Sequence, residues 1–204
     1  MANNFAVFVC FLFPALGGFL FGYDIGATGF AVHQLTTKHS GVKWGDDVDD
    51  SAVLQGAISS GSVFGALLAS AFAFRFADVL GRRRELILGS IFYMVGGIIE
   101  AVSGDEHWDS TSGITTLLFG RVIYGCGIGF SMHGAPSYIA EMSPPHIRGL
   151  LVSCKEALIV FGILMGFVVG YLLKNVDGGW RTTLGLSSAI DLVMCIGSTN
   201  MKYR

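Results

Sequence analysis

Six stretches of the chain are apolar over lengths that match a bilayer core, and polar residues collect between them. A helix needs about 20 mostly apolar residues to cross the hydrocarbon layer. Phe5 to Tyr23 is the first such run, and its helix is expected to continue through Ile25 to Val32. Together the runs predict helices over 5–32, 51–74, 86–103, 114–135, 150–173 and 182–198. Arg121 interrupts the fourth, Lys155 and Glu156 fall near the start of the fifth, and Asp191 sits in the middle of the sixth. The runs are too long for barrel strands and lack their period-two alternation. The expected class is an all-α membrane protein.

The loops set an orientation. The connection after the second span, from Arg75 to Arg84, holds four arginines and belongs in the cytoplasm by the positive-inside rule. Asp46, Asp47, Asp49 and Asp50 outweigh Lys38 and Lys43 after the first span, and Asp105, Glu106 and Asp109 follow the third without a basic residue. Both of those loops read as external. Arg148 after the fourth span, and Lys202 and Arg204 after the sixth, read as internal. Six crossings with both termini cytoplasmic satisfy every loop. No Lys or Arg precedes Lys38, so the positive n-region of a secretory signal is missing and the first span is expected to stay in the membrane. Plasma membrane and an endomembrane such as vacuole or plastid are both left open.

Composition narrows the chemistry. Of 204 residues, 52% are hydrophobic and 14% charged, well below the charge content of a soluble domain. The net charge of −2 excludes a nucleic-acid binder that works by broad phosphate neutralisation. Cys10, Cys126, Cys154 and Cys195 all fall in apolar stretches without metal or disulfide spacing. The five histidines are scattered, so neither metal nor cofactor is expected. Ser131 and His133 are two apart and point to different helix faces, which argues against an intramembrane hydrolase. No enzymatic activity is expected.

The 29 glycines have a pattern. Gly18/Gly22, Gly61/Gly65, Gly125/Gly129 and Gly162/Gly166/Gly170 are spaced by four, which puts each set on one helix face where a neighbouring backbone can approach closely. Gly81-Arg82-Arg83-Arg84 forms a very short connection between two spans. It is either a topogenic cluster or, with Asp78 beside it, a charge-assisted latch on a cytoplasmic gate. Glu141 and Arg148, at and beyond the end of the fourth span, are its expected partners.

Four blocks then resemble one family. They are Gly18-Phe19-Leu20-Phe21-Gly22-Tyr23-Asp24-Ile25-Gly26, Asp78-Val79-Leu80-Gly81-Arg82-Arg83, Gly120-Arg121 with the glycines and Tyr138-Ile139-Ala140-Glu141 and Arg148-Gly149 after it, and Gly179-Trp180-Arg181. In order and spacing the chain resembles the N-terminal half of a sugar porter of the major facilitator superfamily. The run from Arg148 to Glu156 is most similar to plant and algal vacuolar or plastidic sugar carriers.

The resemblance implies six helices forming one half of the fold, as a 3+3 inverted repeat, with sugar bound between two such halves. Since the family has twelve spans, the chain is expected to be a fragment lacking the C-terminal half; a pairing of two half-chains is the alternative. The implied partners are sugar, proton, the lipid bilayer and that second half.

The resemblance also assigns roles. An ionisable group near the bilayer centre costs about 2.5–3.5 kcal/mol on insertion scales, so it usually faces a cavity and a partner. Proton-coupled members carry a carboxylate matching Asp24 and a guanidinium matching Arg121, which implies a proton site. Glu156 stands where other members commonly place a sugar-binding Gln, and it either contacts sugar or pairs with Lys155 or Arg148. Phe19 and Phe161 are candidates to stack on a sugar, Glu100 and Asp191 are ambiguous, and Asp191 has no family counterpart. The implied function is proton-coupled transport of a monosaccharide such as glucose or xylose. The alternatives are a uniporter of the same fold and a transport-inactive six-helix partner.

Overall fold

The computed structural model describes residues 4–37, 39–105 and 109–200, with side-chain surroundings from residue 11 onward except at 77, 78 and 200. The loop charges Lys38, Glu106, Lys202 and Arg204 and the side chains of Cys10 and Asp78 therefore lie outside the described residues. Among the described residues all regular structure is helical: α1 (Asn4–Leu35), α2 (Gly45–Asp49), α3 (Ala52–Leu80), α4 (Arg82–Val102), α5 (Ser110–Met142), α6 (Arg148–Leu173) and α7 (Gly179–Asn200). All but α2 are long and apolar enough to cross a membrane, so the chain is a multi-pass membrane protein of six spans.

Two features depart from the hydropathy reading. The arginine-rich segment is not a loop, because α3 runs to Leu80, α4 starts at Arg82, and Gly81 alone joins them. Gly81 has φ 80°, a left-handed conformation that costs a glycine little. Likewise α5 spans Ser110–Met142 rather than 114–135. Hydropathy falls at the membrane edge, but main-chain hydrogen bonding continues into water, so helices outlast their apolar segments.

The helices pack as two exchanged triplets. The most intimate pairs are α1 with α6, α4 with α5 and α3 with α5, followed by α4 with α7 and α1 with α7. Exchanging α1, α3 and α4 with α5, α6 and α7 maps α1–α6 onto α5–α3 and α4–α5 onto α7–α1. That is the pairing of a 3+3 repeat. Glycines make the closest contacts. A Cβ on Gly22 would overlap the Ile159 carbonyl, one on Gly162 the Phe19 carbonyl, and one on Gly125 the Ser62 carbonyl.

One end of the bundle is acidic and closed by tryptophans. Trp44, just before α2, meets Trp180 of α7 edge-on at 5.7 Å, and both are buried. Gln34 of α1 accepts the Trp180 main-chain N–H at 2.5 Å and donates to the Val176 carbonyl at 2.8 Å. The opposite end carries Arg82–Arg84, Glu141 and Arg148. By contrast, α3 and α6 are open along much of their length, exposing Phe64, Leu67 and Phe74 on one and Phe161, Leu164 and Phe167 on the other.

Candidate functional site

The deepest polar cluster lies among α1, α3, α4 and α5. Asp24 of α1 and Arg121 of α5 each lie about eleven residues, ~17 Å along the axis, from their acidic-end termini Leu35 and Ser110. Glycine makes room for the arginine: a Cβ on Gly61 of α3 would sit 3.0 Å from Arg121 Cβ. Asp24 is 4% exposed and Arg121 1%.

Every nitrogen and oxygen of the pair has a partner, although one of the two Nη1 N–H groups is left over. Arg121 Nη1 donates to Asp24 Oδ1 at 2.5 Å, and Nε donates to the Ile58 carbonyl at 3.2 Å. Nη2 donates to Thr28 Oγ1 at 2.6 Å, to Ser62 Oγ at 3.0 Å and weakly to Asp24 Oδ2 at 3.4 Å. Ser62 Oγ in turn donates to Asp24 Oδ2 at 2.9 Å, and Thr28 Oγ1 lies 3.4 Å from Asp24 Oδ1. Burying two charges is expensive, and their attraction offsets the loss only when the remaining donors and acceptors are also satisfied. Here all but that one N–H are. The arrangement holds a carboxylate and a guanidinium together out of water, so that a proton on the carboxylate would remove the charge attraction between α1 and α5.

Glu100 joins this cluster, which the sequence left ambiguous. Its Oε1 lies 3.6 Å from Arg121 Nη1, and both side chains are 1% exposed. Gly120 admits it, since a Cβ there would come within 2.9 Å of Glu100 Cγ. Asp191 of α7 is also buried, with neither carboxylate oxygen hydrogen-bonded to any described residue. A sequence signal existed for both acids, namely an ionisable residue inside an apolar run. It could not name their neighbours.

The sugar-contact candidates are placed differently. Glu156 is on the open face of α6, and its Oε1 lies 2.9 Å from Lys155 Nζ. Lys155 itself points inward, with its ammonium 4.0 Å from Met132 Sδ. The ion pair with the adjacent lysine, one of the two alternatives for Glu156, is therefore present, and Glu156 is not brought to Asp24 or Arg121. Phe19 and Phe161 do meet, with ring centroids 6.0 Å apart across α1 and α6.

At the basic end, Arg82 Nε donates to Glu141 Oε1 at 3.1 Å, tying the start of α4 to the end of α5. Arg83 donates to the main-chain carbonyls of Ser198 and Thr199 in the last turn of α7, where a positive charge suits the negative end of the helix dipole. Arg148 is exposed at the start of α6 and is not brought into this knot. Sequence reasoning missed the pair beside it: His133 Nδ1 lies 2.5 Å from Glu85 Oε1, with the Glu85 side chain fully buried. The Arg82–Glu141 pair is half open, with side-chain exposures of 23% and 55%. Its contribution to stability is accordingly at most about 1 kcal/mol. Glu141→Gln should lower the thermal unfolding temperature in detergent by no more than ~4 °C, and a larger drop would mean that the knot also holds the fold together.

Comparison with known proteins shows the family. Residues 10–201 match the family model described as Sugar (and other) transporter. The chain is 47% identical over 193 residues to the Arabidopsis thaliana protein named D-xylose-proton symporter-like 3, chloroplastic, covering 94% of this chain and 33% of the relative. It is 32% identical over 196 residues to Glucose transporter GlcP of Staphylococcus epidermidis, covering 96% and 39%. Among solved structures, the inward-open xylose transporter XylE from E. coli superposes with a TM-score of 0.81 at 26% identity, over 96% of this chain and 48% of that one. The chain thus spans between a third and two fifths of these curated relatives and about half of the solved structure. With its six spans, its glycine-seamed 3+3 packing and a family match along nearly its whole length, the chain belongs to the sugar (and other) transporter family, within the major facilitator fold.

Proposed function

We propose that the chain is one six-helix body of a proton-coupled carrier for a monosaccharide such as glucose or xylose, working by alternating access against a second six-helix body. The observation that carries this reading is the enclosed Asp24–Arg121 pair, a carboxylate and a guanidinium sharing hydrogen bonds deep within the spans. The names of the relatives, a D-xylose-proton symporter-like protein and a glucose transporter, support the substrate class and the coupling.

The chemistry follows from the pair. A guanidinium alongside favours the carboxylate as the anion, and separation in apolar surroundings favours the neutral acid. Opening toward the acidic end, which faces outside in this reading, exposes the pair and lets Asp24 take a proton. The contact between α1 and α5 then weakens and sugar can be enclosed. Rocking of the two bodies opens the basic end, where proton and sugar leave on the side that also holds both termini. Coupling needs only that proton and sugar bias the same equilibrium, and the effect is reciprocal.

Glu156, Phe19 and Phe161 are the proposed sugar contacts. Glu156 and Phe161 lie on the open face of α6 and Phe19 packs beside Phe161, so all three are available to a path lined jointly with the second body. Gly81, Arg82, Arg83 and Glu141 form the proposed gate at the basic end, with Asp78 and Arg148 beside them.

Uptake by vesicles is the test. The chain, alone and together with a second six-helix half of a sugar porter, is reconstituted and given radiolabelled glucose or xylose with acid outside. The expected result is accumulation above the external concentration with both halves present and none with this chain alone. Mere equilibration would make the protein a uniporter, and no uptake in either case would leave it a non-transporting partner.

A further inference from the structure

Arg121 has two carboxylates within reach, and only one of them is hydrogen-bonded to it. Asp24 receives Nη1 at 2.5 Å, while Glu100 Oε1 stands 3.6 Å from the same nitrogen and accepts no hydrogen bond from any described residue. Nη1 carries two N–H groups and uses one on Asp24. A buried acceptor left this close to a buried donor is costly unless it serves some state of the protein.

The proton cycle supplies such a state. A proton on Asp24 would leave the guanidinium without a counter-charge at 1% exposure, a strongly unfavourable condition. Glu100 comes from a different helix than Asp24, so a shift of about 1 Å by the arginine side chain moves its charge pairing from α1 to α4 without moving Arg121 into water.

We propose that Glu100 is the second counter-ion of Arg121, receiving the guanidinium when Asp24 is protonated and thereby permitting Asp24 to be neutral inside the bundle. This rests on the proton-coupling reading of Asp24 and Arg121. Glu100 is a positioning residue that acts through Arg121. The charged and titratable groups facing it are Arg121 from α5, Asp24 from α1 and Asp191 from α7. Of these only Arg121 is cationic, so nothing else facing it supplies the counter-charge.

The experiment has two arms. In the first, the thermal unfolding of this chain in detergent is compared for Asp24→Asn, Glu100→Gln, the double variant, and the double variant carrying Arg121→Met. Each single variant leaves one carboxylate for the arginine, so each should unfold within a few degrees of the parent, whereas the double strands the charge. The double is expected to fall at least ~6 °C below the sum of the single shifts, and Arg121→Met should restore much of that loss. Additive shifts would overturn the proposal.

In the second arm, proton-driven uptake with both halves present is measured against external pH. Glu100→Gln should move the half-maximal pH of uptake in the acid direction, by on the order of one unit, because Asp24 then takes its proton only by stranding Arg121. An unmoved profile would overturn the proposal, since a merely structural role would lower the amount of folded carrier and leave the profile in place. Full uphill uptake by Asp24→Asn alone is a different failure: it would remove the proton-coupling reading itself, whatever Glu100 does.

Discussion

With a second six-helix half present, Asp24→Asn should abolish the proposed accumulation of sugar against its gradient while leaving exchange down the gradient measurable. One pH unit across the membrane is worth about 1.4 kcal/mol, and so drives roughly tenfold accumulation in a one-to-one symporter. With an amide at position 24 there is no group to load and unload, and the expected accumulation ratio falls to about one at any pH difference. Exchange survives because an amide oxygen in the place of Oδ1 can still accept from Arg121 and Thr28, while the amide NH2 in the place of Oδ2 donates to Ser62 Oγ. Counterflow with sugar on both sides, read beside uphill uptake in the same vesicles, separates the two. Retained uphill uptake would place the coupling proton elsewhere, and loss of both activities would point to a folding defect instead.

Gly22→Val should sharply lower both the yield and the stability of the folded protein. A Cβ at Gly22 already overlaps the main-chain oxygen of Ile159, and Gly26 and Gly162 meet the facing backbone in the same seam. Main-chain atoms cannot rotate away as a side chain would, so α1 and α6 must separate along their length. Overpacking of this kind costs about 3 kcal/mol or more, a large part of the 5–15 kcal/mol that typically holds a domain together. The yield of monodisperse protein in detergent and its unfolding temperature are the measurements. Gly56→Ala and Gly149→Ala are the controls: a Cβ at either helical position meets nothing within 4 Å. These should be neutral, or stabilising by up to ~1 kcal/mol through helix propensity. If Gly22→Val behaves like them, the close α1–α6 seam does not exist as described.

Much of the site was legible in the chain because lipid penalises charge. An acid or a base inside a long apolar run demands a reason, and that singled out Asp24 and Arg121 before any coordinates. The same logic flagged Glu100 and Asp191 without finding them partners. Glu100 lies two residues before the end of α4 at Val102 and so looks like an interfacial residue. Yet α5 starts about ten residues, ~15 Å, before the level at which Gly120 meets Glu100. That offset between neighbouring helices places a residue near one helix end against the buried arginine of the next. No pattern within either helix encodes it.

The distinction between Lys155 and Glu156 has the same origin. Consecutive helical residues point about 100° apart, so the two cannot face the same way. The seam of Gly162, Gly166 and Gly170 against α1 fixes the rotation of α6, and with it which of the two is buried.

The sequence by itself determined the number of spans, the helical class, the glycine faces and the ionisable residues that could not sit in lipid unpaired. These follow from transfer free energy and helical periodicity, which act on local segments. Only the tertiary structure decided which charges meet, which side of each helix is enclosed and where the helices end in water. Those depend on the relative rotation and axial offset of packed helices, and close backbone contact between distant segments sets both.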